Sequence, residues 1–71
     1  MKEIIFHIEQ DIDGGYVASA ELDKGAIVTQ GDDINELKMM IQDAIDGYFY
    51  DKPNQKPQNV ILHFEEILAI A

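Results

Sequence analysis

Cysteine is absent from these 71 residues, which removes disulfides, thiolate metal ligands and thiol nucleophiles together. Arginine is absent as well, and five lysines stand against fourteen carboxylates, for a net charge of −9. Binding through phosphates needs clustered Lys and Arg, so direct nucleic-acid binding is not expected. Ser19 is the single serine, and no His or Asp pattern beside it marks a nucleophile. No apolar run comes near the roughly 20 residues that span a bilayer. The longest nearly uncharged apolar stretch is Ile67 to Ala71, and Lys2 and Glu3 interrupt the start. A protein of the cytoplasm, away from membranes, is the expectation. The chain is also short enough to bury only about 60% of its unfolded surface, which leaves a lone monomer marginal.

What is present is strongly patterned. Lys2 to Glu9 alternates, with Ile4, Phe6 and Ile8 on one side and Ile5, His7 and Glu9 on the other, the period of a strand. Asp11-Ile12-Asp13-Gly14-Gly15 is a hairpin turn, because the glycines admit positive φ. Tyr16 to Leu22 alternates again, and Ala26 to Gln30 follows the turn Asp23-Lys24-Gly25, completing an antiparallel meander. Asp33 with Glu36 three residues on has capping-box spacing, and Asp32 adds charge that suits a helix N-terminus. Ile34, Leu37, Ile41, Ala44, Ile45 and Tyr48 then recur at helical spacing, with Met40 near the stripe. Gly47 weakens the last turns, which predicts an end near Phe49 or Tyr50. Asp51 to Gln58, with both prolines, is an irregular connection, and Asn59 to Glu65 is a fourth strand. A helix joining strands of one sheet predicts that this strand runs parallel to its neighbour.

The alternation assigns faces. Ile4-Phe6-Ile8, Val60-Leu62-Phe64 and Tyr16-Ala18-Ala20 are expected under the helix, leaving Ile5, Val17 and Ile61 among His7, Glu9, Ser19, His63 and Glu65 outside. An outer face half apolar suits a protein contact better than bare water. His7 and His63, with Glu9 or Glu65, could approach one metal if the first and fourth strands are neighbours. No metal-motif spacing supports that, so no metal, cofactor or catalytic group is expected. Asp11 and Asp13 read as turn chemistry rather than a cation loop, since no glutamate closes a 12-residue loop. Gly14-Gly15 precedes no helix and is no phosphate loop.

Asp13-Gly14-Gly15-Tyr16-Val17-Ala18 and Ile27-Val28-Thr29-Gln30-Gly31-Asp32, followed by the amphipathic Ile34–Tyr48, resemble the N-terminal domain of HicB-type antitoxins over residues 2 to 50. The strand around Asn59–Phe64 fits that family's fourth strand. The resemblance implies an α+β domain of β-β-β-α-β order over residues 1–71, a partial ribonuclease-H-like sheet with one helix on one face and no active site. It implies an antitoxin that covers a small basic mRNA-cleaving toxin of the HicA type. Leu22-Asp23-Lys24-Gly25-Ala26 stands where many members have Leu-Pro-Gly-Cys, as in the shorter stand-alone branch. No basic segment resembling the DNA-binding domain of longer members follows, so operator binding is not implied. The competing expectation is a stand-alone oligomeric adaptor or small-ligand-binding domain without a toxin.

Independently of the resemblance, the acidity favours a basic protein partner, drawn by electrostatic steering. Two acidic patches offer themselves, Asp11 with Asp13 at the hairpin tip and Asp32, Asp33 and Glu36 at the helix start. Tyr50 and Ile67 are the candidate apolar anchors. Tyr48-Phe49-Tyr50 cannot all face one core, so at least one meets solvent or another chain. A homo-oligomer, at least a dimer, follows from the short chain and its half-apolar outer face.

Overall fold

The computed structural model describes residues 3–65 and Ile70. Strands β1 (Glu3–Gln10), β2 (Tyr16–Leu22) and β3 (Gly25–Gly31) are followed by helix α1 (Ile34–Tyr48), a single 3₁₀ turn (Pro53–Gln55) and β4 (Asn59–Glu65). The sheet order is β3-β2-β1-β4, antiparallel through the meander and parallel between β1 and β4. The coarse α+β reading and the parallel fourth strand therefore hold.

The β1–β2 turn is built as its residues require. Gly14 and Gly15 have φ of 94° and 81°, a region closed to most L-residues. The Asp13 N–H donates to Asp11 Oδ1 at 3.1 Å, and the Asp11 N–H donates to the Gly15 carbonyl at 2.9 Å. At the helix start, the Glu36 N–H donates to Asp33 Oδ1 at 2.8 Å. Glu36 Oε1 reaches back to accept from the Asp32 N–H at 3.0 Å, one residue before the usual capping-box partner. Helix α1 ends at Tyr48, capped by Phe49, as the weakening Gly47 anticipates.

The core is one apolar cluster: Ile4, Phe6 and Ile8 of β1, Ala18 and Ala20 of β2, Ile27 of β3, and Leu37, Ile41 and Ile45 of α1 with Phe49 at its C-cap. Two expectations are corrected here. The helix buries a strict row at intervals of four ending in Phe49, whereas Tyr48 lies on the exposed side with its ring stacked edge-on against Phe49, centroids 4.9 Å apart. The inner face of β4 is less covered than its apolar pattern suggests, with Val60 39% and Phe64 47% exposed and Leu62 half-buried. The cause is where the helix sits. It packs against β3 and β2, and β4 extends the sheet past its shadow. Gly31 permits that seat, because a Cβ there would lie 2.5 Å from the Leu37 nitrogen.

Candidate functional site

The β1–β2 hairpin tip and the start of α1 come from distant parts of the meander, yet they meet at one end of the molecule. A Cβ on Gly15 would crowd the Gly31 carbonyl oxygen at 3.0 Å and touch Asp32 Cα at 3.6 Å, and the φ of 81° favours glycine there in any case. The two acidic patches therefore form one. Asp11, Asp32 and Glu36, with Tyr16, Gln30 and Met40 and the glycines between them, line a shallow cleft of about 310 Å³. Asp13 and Asp33 stand outside its lining, Asp13 on the hairpin tip and Asp33 as the helix cap.

The carboxylates differ in freedom. Asp11, Asp33 and Glu36 each spend an oxygen on a backbone N–H. All five are exposed, and among the described residues none is in an ion pair. Carboxylates held by the backbone and unneutralised present a fixed negative field without the entropy cost of ordering long side chains. Met40, 40% exposed at the cleft wall, is the apolar group beside them. Sequence periodicity placed Met40 only near the helix stripe; its signal was the spacing of four from Glu36, which stacks the two on one helix face.

Tyr50 is 86% exposed but belongs to the other end of α1. The 15-residue helix is about 22 Å long, so Tyr50 is no part of the acidic cleft. Ile67 lies outside the described residues.

A second cluster occupies the opposite face of the sheet. In the β1–β4 ladder Ile5 pairs with Ile61, His7 with His63 and Glu9 with Glu65, all on the side away from the helix. The His7 and His63 rings stand edge-on with centroids 5.5 Å apart, and His7 Nδ1 lies 3.6 Å from Glu65 Oε1. Ile5, Ile61 and Val28 are 49%, 40% and 67% exposed on the same face.

A third feature is a groove of about 320 Å³ between α1 and β4, floored by Ile41, Ile45, Val60 and Leu62. The surface ion pair of Lys56 with Asp46 closes one wall. No helix among the described residues is long and apolar enough to cross a membrane.

The chain is 44% identical over 48 residues to a UPF0150 protein of Thermotoga maritima, a match covering 68% of this chain and 66% of the relative. The match thus spans just under two thirds of that relative's own length. No family model and no solved structure matches the chain.

Proposed function

We propose that this chain is a non-enzymatic, acidic protein-binding module of the HicB-like type, and that it neutralises a small basic mRNA-cleaving toxin of the HicA type. The similarity to a UPF0150 protein supports the family, since that name is used for HicB-like proteins. The sheet order, with β4 parallel to β1, suits the partial ribonuclease-H-like arrangement this reading calls for. The observation that carries it is the joined acidic cleft, where carboxylates from the hairpin and the helix start, in no ion pair among the described residues, line one opening. A basic partner is steered there by the −9 charge, and a lysine or arginine entering the cleft meets Asp11, Asp32 and Glu36 together. Met40 replaces Tyr50 as the apolar contact at this end. Neutralisation in this scheme is masking: the toxin's basic, RNA-facing surface is covered by an acidic one.

The test is to express a small basic HicA-type toxin, sought first in the reading frame beside this gene, alone and with this chain. Growth arrest with mRNA cleavage by the partner alone, relieved on co-expression together with co-purification of the pair, is the expected result. Arrest that persists despite abundant soluble chain contradicts the proposal. The open outer face favours a second reading, a stand-alone oligomeric adaptor, which predicts self-association without capture of a basic toxin.

A further inference from the structure

We infer that His7, His63 and Glu65 form a binding site for a borderline divalent transition-metal ion such as Zn²⁺, separate from the acidic cleft and independent of any toxin. Sequence spacing gave no reason to expect a metal, because the two histidines are 56 positions apart and no motif links them. The topology supplies what the spacing withholds. Parallel pairing of β1 with β4 sets His7 directly beside His63, and registered residues on neighbouring strands project from the same face. Glu65, two residues on, projects from that face too, and one ligand atom from each of the three lies within 4.8 Å of the others.

Zinc holds imidazole nitrogens and carboxylate oxygens at about 2 Å, so its ligands must close to within roughly 3 to 4 Å of one another. The three side chains are exposed, and rotation about their own χ angles supplies that movement without disturbing the core. Two imidazoles and a carboxylate favour zinc, nickel or copper over magnesium and calcium, which take oxygen ligands. Three protein ligands leave a coordination position open. The surroundings attract a cation: the shallow depression that includes His7 and Glu65 is also lined by Glu3, Glu9, Glu21 and Asp23, and among the described residues no lysine is in its walls. Glu9 pairs with Glu65 in the ladder, which puts a second carboxylate beside the site. Ser19, the partner of His7 on the other side, is uncharged and does not compete.

Calorimetric titration of the full chain with Zn²⁺ alone tests this, read beside the histidine ring signals in NMR. The expected result is one saturable site per chain, with the His7 and His63 ring resonances moving together. His63→Ala should weaken binding at least about tenfold, and Glu65→Gln by a smaller factor. Asp43→Asn, on the exposed side of α1, should leave it unchanged. All three ligands are exposed, so the variants should keep the wild-type circular dichroism spectrum. No saturable binding up to about 1 mM Zn²⁺, a dissociation constant that is weak on any scale, overturns the inference. So does an affinity unaltered in the His7→Ala/His63→Ala double variant, which would locate the ion among carboxylates instead.

Discussion

Gly31 sets how closely α1 lies on the sheet, and the reason is distance rather than backbone angle. A methyl group there meets the Leu37 nitrogen at 2.5 Å and the Leu37 Cα at 2.7 Å, both main-chain atoms that cannot rotate away. Gly31→Ala should therefore lift the helix start and cost about 3 kcal/mol, measured by urea denaturation, enough to threaten so small a domain. Phe49→Ala should cost about as much, by emptying a site that is 4% exposed at the foot of the helix. Asp33→Ala removes the acceptor for the Glu36 N–H and should cost about 1 kcal/mol, whereas Asp33→Asn, which caps equally well, should be nearly silent. Equal losses from the two Asp33 variants would show that charge near the helix start, rather than the cap bond, is what matters. The cap and the glycine turn were legible in the sequence because both are local: Asp33 and Glu36, or Asp13-Gly14-Gly15, carry their own partners within four positions. Phe49 was not, because Tyr48 and Phe49 fit a 3.6-residue period almost equally well after Ile45. Only the seat of the helix on β2 and β3 chooses between them.

Alternation gave the faces of β1, β2 and β4 correctly, but not which strand the helix would cover. Val60 and Phe64 point inward as their register with Ile4 and Ile8 requires, yet they stay half exposed because α1 leans toward β3. A periodic pattern reports that a side wants to be covered, and says nothing about what covers it. The same limit explains the acidic groups: Asp11 and Asp32 are 21 positions apart and read as two patches, and only the approach of Gly15 to Gly31 joins them. β4 is held by one parallel ladder at the sheet edge, under partial apolar cover. Its amides should exchange with solvent faster than those of β1, which is paired on both sides and buries Ile4, Phe6 and Ile8. Hydrogen exchange checks this, and equal protection in the two strands would indicate that another element or another copy covers β4.

At the scale of the whole molecule, acidity and exposed apolar surface point to association with other chains. Ile5, Ile61 and Val28 leave the outer sheet face partly apolar, and a chain of this length gains from covering it. Light scattering at tens of micromolar should therefore show at least a dimer, and a monomer throughout that range would contradict the expectation. The charge of −9 should also leave the purified chain unretained on duplex DNA at moderate salt. The central claim is that a basic protein is captured through the joined acidic cleft, and its most direct test is the association rate constant with a small basic toxin of the HicA type, followed by stopped flow as ionic strength is raised. Steering makes that rate fall steeply with salt for the native chain. Asp11→Asn/Asp13→Asn should slow it at low salt, and Asp11→Asn/Asp32→Asn more so, since both of the latter carboxylates line the cleft, with dissociation less affected in each case. A rate independent of salt, or unchanged in both variants at low salt, would contradict the account.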